Sequence, residues 1–272
     1  MSKKIKVLTL SDHPMSPSGV GTQTRYMIEG LLNTGNYEVR SFGGAIAHND
    51  YKPQVSDKYG EDWIIFPVDG YGTQHTVKGI CEQWKPDVLW FMTDPRFYPW
   101  LWDIDNEIRC NVPMIYYHVW DNHPYPTFNK SFYDSNDLIA SISKVTDDCV
   151  RNVSPDVECV YLPHAVPEGV FRKKSHEEIE QYKKEALPPT AKDKFIFFWN
   201  NRNAKRKQSG TLLWWFNDFL QEVGHDKAML VMHTDPGDPH GQDLTHIVEK
   251  LGLTAGQVLF STQKVSLDRM PI

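Results

Sequence analysis

Short apolar runs alternate with amphipathic segments along the first 165 residues. Runs with the length of buried strands lie at 5–10, 38–43, 64–68, 87–92, 114–119, 138–143 and 158–162. Apolar residues recur between them at helical spacing, as in 21–34, with its stripe of Met27, Ile28, Leu31 and Leu32, and in 75–85. Strands that alternate with helices indicate a mostly parallel sheet covered by helices on both faces. Residues 1–165 therefore predict a Rossmann-like domain.

The alternation stops after this domain and then resumes. Residues 166–193 combine prolines with a very polar run, which predicts a linker and a surface helix. In 194–272, strands are expected at 194–200, 228–233 and 258–261, with helices at 210–223 and 241–251. The predicted buried stripe of the first of these helices is Leu212, Trp215, Phe216 and Phe219. A doubly wound domain has about six strands, so we expect 194–272 to be a partial second Rossmann-like domain.

The composition narrows the class of protein. Hydrophobic residues make up 40% of the 272, which is too many for a disordered chain. A net charge of −6 argues against a broad nucleic-acid surface, so no nucleic-acid partner is expected. No run is long enough to span a bilayer, residues 3–10 enter a strand without a signal-peptide pattern, and the four cysteines form no CxxC pair. We therefore expect a cytoplasmic protein without a transmembrane segment.

A basic loop separates the strand at 194–200 from the helix at 210–223. It contains Asn201, Arg202 and Lys207. Such a loop is suited to phosphate, because a helix amino end favours an anion and Arg can donate two parallel hydrogen bonds to it. The alternative is a solvated basic turn without a ligand.

Two glycines follow the first strand and flank Val20. Gly19 and Gly21 lack a Cβ, so they allow close approach of the backbone to a ligand and a positive φ. The sequence GVGTQT lacks the third glycine of a dinucleotide fingerprint. The segment predicts a ligand-binding loop, with a tight structural turn as the alternative.

Polar residues also end two other strands of the first domain. His118 ends the run at 114–119 and Asp94 follows the run at 87–92, and ligands of parallel sheets collect at such ends. Asp121 lies just beyond His118 and is a candidate for the polar rim of the site. For His118 the alternative is a buried, hydrogen-bonded side chain, and for Asp94 it is a turn initiator before Pro95. No metal site is expected.

Three segments together resemble a known family. They are SPSGVGTQTRYMIEGLL at 16–32, LPHAVPEGVF at 162–171 and NRNAKRKQSG at 201–210. In order and spacing they are similar to the motifs of retaining glycosyltransferases of family 4, and most of all to a viral and phage-like branch in which NRN replaces GR. The resemblance implies the GT-B architecture of two Rossmann-like domains. It covers the whole chain, but only part of a complete enzyme.

The resemblance also implies a reaction and a set of roles. A sugar would pass from a nucleotide diphosphate sugar to a carbohydrate, lipid or protein acceptor with retention of configuration and without a metal or other cofactor. Arg202 and Lys207 would bind the donor phosphates and His118 would orient the donor sugar. Gly19, Val20, Gly21, Asp94, Asp121 and Asn201 would complete the donor and acceptor sites.

Family members carry a pair of glutamates near the end of the second domain, and the sequence ends before that segment. We therefore expect a truncated second domain, with a separately encoded C-terminal half as a candidate partner. One alternative is a non-catalytic nucleotide-sugar-binding protein or one half of a split enzyme. Another is an unrelated Rossmann enzyme, such as a dehydrogenase or epimerase, which would bind a nicotinamide dinucleotide.

Overall fold

The computed structural model describes residues 3–263. The chain divides into two compact units, Met1–Pro167 and Glu168–Ile272. The segment 166–193, predicted as linker and polar helix, lies mostly in the second unit and contains the helix His176–Ala186. None of the helices within the described residues is long and apolar enough to cross a membrane.

The first unit alternates strands and helices. Its strands are β1 (Ile5–Asp12), β2 (Tyr37–Gly44), β3 (Gln54–Ser56), β4 (Gly60–Pro67), β5 (Val88–Met92), β6 (Met114–His118), β7 (Leu138–Ser141) and β8 (Cys159–Tyr161). Its α-helices are α1 (Gly19–Asn33), α2 (Gln74–Trp84), α3 (Pro99–Trp102), α4 (Asp105–Arg109), α5 (Lys130–Asp134) and α6 (Lys144–Val153).

The strands form one sheet in the order β3-β4-β2-β1-β5-β6-β7-β8. Every neighbouring pair is parallel except β3 with β4, so the predicted mostly parallel α/β fold is confirmed. The first strand of the chain lies in the interior of this sheet, between β2 and β5, as in a doubly wound fold. All strands that run parallel to β1 end at the same edge.

Both faces of the sheet are buried. Leu8 and Leu10 of β1 point into one core, which α2 and α6 cover through Val77 and Val150. Val7 points to the opposite face, into a core that includes Ile28 and Leu32 of α1. Continuous apolar runs are typical of strands buried on both sides, which explains why the period-2 alternation is weak here.

The short helices of this unit, including α6, are absent from the sequence prediction. Ser143 caps α6 by accepting a hydrogen bond from the backbone N–H of Thr146 at 3.1 Å. Cys149, Val150 and Val153 form the buried stripe of the helix. A serine cap followed by that spacing is a helix signal that the sequence prediction did not use.

The second unit contains a smaller sheet. Its elements are α7 (His176–Ala186), β9 (Phe195–Asn200), α8 (Ser209–Val223), β10 (Ala228–His233), α9 (Leu244–Lys250) and β11 (Val258–Ser261). The strand order is β11-β10-β9, and both pairs are parallel. The first strand, β9, is therefore an edge strand within the described residues, unlike β1. The expectation of an incomplete second Rossmann-like sheet is confirmed.

The predicted buried stripe of α8 is wrong by one position. The helix buries Leu213, Phe216 and Leu220 against β10, whereas Trp215 is 66% exposed. Apolar residues surround this helix, and two sets with helical spacing share Phe216, so the periodicity alone did not distinguish them. Phe219 of the other set contributes to a second apolar surface, where it contacts Phe197 of β9.

That surface lies at the free edge of β9. Phe195 and Phe198 are 66% and 62% exposed, and Phe197 contacts Phe219 of α8 with ring centroids 5.6 Å apart. We call these four residues the aromatic edge. An edge strand with large exposed apolar side chains is a surface on which further chain can pair.

Candidate functional site

The loop after β1 leads directly into the first turn of α1. Ser18 caps this helix, because its Oγ accepts a hydrogen bond from the backbone N–H of Gly21 at 2.9 Å. Gly19, Val20 and Gly21 are all helical residues. Neither glycine has a positive φ, so that part of the prediction is wrong.

Gly19 and Gly21 differ in what surrounds them. A Cβ added to Gly21 would lie 2.6 Å from the carbonyl oxygen of His13, so the close approach of the loop requires glycine there. A Cβ on Gly19 would meet nothing within 4 Å. Gly21 therefore has a structural role, and only Gly19 borders open space.

Asp12, the last residue of β1, is a polar group that the sequence analysis missed. Its carboxylate accepts hydrogen bonds from Ser18 Oγ at 2.6 Å and from the Tyr71 hydroxyl at 2.9 Å. Burial and the neighbouring Asp12 carboxylate raise the pKa of Tyr71 far above its usual range, so Tyr71 stays protonated and donates. The two hydrogen bonds of Asp12 therefore connect Ser18, at the start of α1, with the loop that carries Tyr71.

An open cleft of about 760 Å³ lies beside Tyr71. Phe97 and Trp100 line it with Tyr71, and the Arg96 guanidinium lies over the Phe97 ring, 5.2 Å from its centroid. Aromatic faces with one cation suit a ring-shaped, polar ligand. The sequence signal was the aromatic cluster just after β5.

His118 ends β6 as predicted, but its side chain is fully buried. Its Nε2 lies 2.7 Å from the hydroxyl of Tyr133, which also accepts from Asn129 Nδ2 at 3.3 Å. The direction of the bond between Nε2 and the hydroxyl depends on the tautomer of the histidine. Nδ1 has no partner among the residues that the structure describes. Burial lowers the pKa of His118 to about 3, so the ring is neutral.

Asp94 and Asp121 lie together at the rim of a small cleft of about 180 Å³. Asp94 Oδ1 also accepts from the backbone N–H of Arg96 at 3.1 Å, which is the turn-initiating arrangement considered from the sequence. Asp121 is exposed. Within residues 3–263, no group of three or more His, Cys, Asp or Glu side chains is arranged to hold a metal ion.

The basic loop of the second unit follows β9 and contains a short 3-10 turn, Lys205–Lys207, before α8. Arg202 donates from Nε to Asp238 Oδ2 at 2.7 Å and from Nη2 to His240 Nδ1 at 2.9 Å. The Arg202 side chain is nevertheless 64% exposed. A guanidinium held in this way remains accessible to a ligand anion.

Asn201 and Lys207 flank the same loop and are both half-buried. Lys207 forms no ion pair with any described residue. Its backbone N–H donates to the carbonyl oxygen of Ala204 at 2.8 Å, which closes the 3-10 turn. Among the described residues, the loop thus presents one paired cation, Arg202, and three cations without an ion pair, Lys205, Arg206 and Lys207.

Asn203 was not identified from the sequence, and it holds the loop in place. It is fully buried, and its side chain donates to the carbonyl oxygen of Gln242 at 2.7 Å and accepts from Ser209 Oγ at 2.7 Å. A Cβ on Gly241 would lie 2.2 Å from the carbonyl oxygen of Asn203, so glycine is required where the two loops meet. Asn203 and Gly241 are structural residues of the candidate site.

Comparisons with known proteins identify the fold. No family model and no curated protein matches the sequence. A glycosyltransferase from Rickettsia africae superimposes with a TM-score of 0.68 and 14% identity, over 100% of this chain and 72% of that chain. An E. coli structure described as trehalose-6-phosphate bound with UDP-2-fluoro glucose matches with a TM-score of 0.63 and 13% identity, over 97% and 74%.

A UDP-forming α,α-trehalose-phosphate synthase from Burkholderia xenovorans matches similarly, with a TM-score of 0.63, 12% identity and coverage of 98% and 75%. The chain therefore has the fold of GT-B glycosyltransferases, as predicted. At these identities the likeness establishes the fold alone. Membership of family 4 and of its viral and phage-like branch stays a prediction.

Proposed function

We propose that this protein is a glycosyltransferase that moves a sugar from a nucleotide diphosphate sugar to an acceptor with retention of anomeric configuration. The GT-B fold supports a transferase of this class. The basic loop after β9 is the single observation that carries the proposal, because it presents Arg202 at the carboxyl edge of the sheet and at the amino end of a 15-residue helix.

Arg202 and Lys207 bind the donor diphosphate in this proposal. As the bond to the sugar breaks, negative charge grows on the leaving phosphate, and fixed cations stabilise that charge more in the transition state than in the bound donor. The leaving phosphate itself takes the proton of the acceptor hydroxyl on the same face of the sugar. The chemistry then needs neither a metal nor another cofactor. Asn201, which directly follows β9, completes the phosphate loop.

The acceptor binds to the first unit in this proposal. The cleft beside Tyr71, Phe97 and Trp100 offers aromatic faces that suit a sugar ring. Asp94 and Asp121 line the smaller cleft, and their carboxylates are candidates to accept hydrogen bonds from sugar hydroxyls. Gly19 borders ligand through the open space at the start of α1, whereas Val20 is partly buried against the core that contains Ile28. Because His118 is buried, we propose that it acts indirectly, through the Trp120 ring stacked 6.5 Å away.

Release of nucleoside diphosphate from UDP-, GDP- and ADP-sugars, with a panel of acceptors, tests the proposal. Replacement of one fixed donor of this kind typically costs a hundred- to a thousandfold in rate, so Arg202→Ala should lose at least that much while the fold remains intact. Arg206→Ala is the matched control, because Arg206 is an exposed cation of the same loop and forms no ion pair with a described residue. Retention of more than a tenth of the wild-type rate in Arg202→Ala would contradict the assignment.

A second candidate is one half of a split transferase that binds the nucleotide sugar but needs a partner chain for turnover. The aromatic edge favours it, because the first strand of the smaller sheet has only one neighbour within residues 3–263, whereas β1 has two. A further parallel strand from a C-terminal half would pair with β9 and cover Phe195 and Phe198. The four cysteines are free thiols, which supports a reducing, cytoplasmic location for either candidate.

The aromatic edge can be tested directly. If a partner strand is required, the purified protein should bind nucleotide but transfer sugar only when an extract of the producing cells is added. Phe198→Lys should abolish that rescue. Val55→Lys is the control, since Val55 is 52% exposed on β3, another edge strand. Full turnover by the purified chain alone would exclude this candidate.

A further inference from the structure

The basic loop does not stand alone at the edge of the smaller sheet. A second loop, residues 234–242, follows β10, and β10 pairs in parallel with β9 so that His233 lies opposite Asn200. Both loops therefore leave the sheet at the same edge. The backbone N–H of Lys205 donates to the carbonyl oxygen of His240 at 3.2 Å, and Gly210 N–H donates to Gln242 Oε1 at 2.8 Å. We call residues 234–242 the bracing loop.

Asp238 is fixed by the bracing loop itself. Its Oδ1 accepts from the backbone N–H of His240 at 2.9 Å, and its carbonyl oxygen accepts from the N–H of Gly241 at 2.9 Å. Only 11% of its side chain is exposed. A short polar side chain that bonds the backbone two residues ahead is held in a turn, so this carboxylate has its position without help from Arg202.

Asp238 in turn holds the guanidinium of Arg202 by one edge. Nε donates to Oδ2 at 2.7 Å, and Nη2 lies 3.3 Å from Oδ1 and 2.9 Å from His240 Nδ1. The other terminal nitrogen, Nη1, has no hydrogen-bond partner anywhere in residues 3–263. The carboxylate and the imidazole therefore bind Nε and Nη2 and leave the two N–H groups of Nη1 without a partner among the described residues, on a side chain that is 64% exposed.

We infer that Asp238 is a positioning residue, which holds Arg202 in the orientation that binds a phosphate oxygen through Nη1. This inference rests on the proposed function, because it requires Arg202 to bind the donor phosphate. An arginine side chain free in solvent populates many rotamers, and ordering it on binding costs affinity. The Asp238 carboxylate orders the side chain before the ligand arrives.

The direction in which phosphate affinity changes when Asp238 is neutralised distinguishes a positioning role from simple electrostatics. Asp238 is an anion near a site for an anion, so Coulomb's law alone predicts that its neutralisation strengthens phosphate binding. The same result follows if Asp238 occludes Arg202 and must be displaced. Positioning predicts the opposite, a weaker complex when the negative charge is removed.

Calorimetric titration with UDP, GDP and ADP tests the inference on the full-length protein. Asp238→Asn retains an oxygen for the backbone N–H of His240 but presents an amide group to Arg202, so we expect at least tenfold weaker binding of whichever nucleotide the wild type binds. Asp235→Asn is the matched control, because Asp235 bonds the N–H of Gly237 at 2.9 Å in the same loop and does not contact Arg202. It should bind as the wild type does.

The double variant Arg202→Ala/Asp238→Asn shows whether Asp238 acts through Arg202. We expect it to bind no more weakly than Arg202→Ala alone, since the group to be oriented is absent. Unchanged or tighter binding by Asp238→Asn, with binding lost in Arg202→Ala, would overturn the positioning role and leave the proposed function standing. Equal binding by the wild type and Arg202→Ala, or none by the wild type, would overturn both.

Discussion

His118 and Arg202 occupy equivalent places in their sheets but opposite environments. Each lies at the carboxyl edge of a parallel sheet, His118 as the last residue of β6 and Arg202 two residues after β9. His118 is completely buried, neutral and hydrogen-bonded to Tyr133. Arg202 is 64% exposed and ion-paired by one edge of its guanidinium.

The difference teaches that a place at a strand end does not by itself make a side chain accessible to a ligand. A residue beyond the last ladder position can turn outward, as Arg202 does two residues after β9. The last ladder residue itself points to one face of the sheet, and a covering ring such as Tyr133 then removes it from solvent. Buried and exposed groups at the two edges should therefore respond differently to substitution.

The largest effect is expected at Asn203, the buried neighbour of Arg202. Asn203→Ala removes bonds to Ser209 Oγ and to the carbonyl oxygen of Gln242 and leaves buried groups unpaired. The free energy of unfolding should fall by about 2–4 kcal/mol. Asn201→Ala is the control, since Asn201 is half-buried in the same loop and should lose less than about 1 kcal/mol.

Urea denaturation monitored by circular dichroism measures both losses. Equal losses for the two asparagine variants would show that the loop is not held by Asn203. Arg202→Ala should leave the unfolding free energy within about 0.5 kcal/mol of the wild type, since an exposed ion pair contributes little.

The next largest effect is the dependence of the unfolding free energy on pH that arises from His118. Its pKa is lowered from 6.5 to about 3 by burial, so the unfolded chain takes up a proton below pH 6.5 while the folded protein does not. Stability is therefore present above pH 6.5 and is lost as the pH falls towards 3, at about 1.4 kcal/mol per pH unit for this one group.

Denaturation curves at pH 7, 6, 5 and 4 show this slope. His118→Gln should flatten it by about 1.4 kcal/mol per unit, whereas the exposed His123→Gln should leave it unchanged. Burial also lowers the pKa of His13 and His164, so part of the slope will remain in His118→Gln. Identical slopes in the wild type and His118→Gln would show that His118 is accessible to protons and solvent.

The smallest effect distinguishes the two glycines of the loop after β1. Gly21→Ala places a methyl group against the His13 carbonyl oxygen and should cost about 1–3 kcal/mol. Gly19→Ala should be neutral or stabilise by up to about 1 kcal/mol, since alanine suits a helix and the site is open. Thermal unfolding of both variants provides the comparison, and an equal loss would refute the open space at Gly19.

Much of the architecture could be predicted from the sequence because long, strongly apolar segments decide it. The strands at 228–233 and 258–261 have the bounds that the apolar runs predict. The register of α8 could not be predicted, because Leu212, Leu213, Trp215 and Phe216 supply two possible stripes, and only contact with β10 selects one.

The chemistry of the site was less accessible to sequence analysis. The basic loop was predicted from its position and charge, and the structure places Arg202 at the sheet edge. Asp238 lies 36 residues later along the chain and contacts Arg202 only because β9 and β10 are neighbours. The loop around Asp238 contains prolines and glycines and reads as an ordinary turn, so no local pattern indicates the pairing.

Nucleotide binding by the wild type and by Arg202→Ala tests the central claim most directly. Thermal stability is followed while each protein is titrated with nucleoside diphosphates and nucleotide sugars. At a hundred times the dissociation constant, a specific ligand should add about 2.7 kcal/mol of stability to the wild type, and Arg202→Ala should lose this gain. A gain of equal size in both proteins, or none in the wild type with any nucleotide, would contradict a donor phosphate site at Arg202.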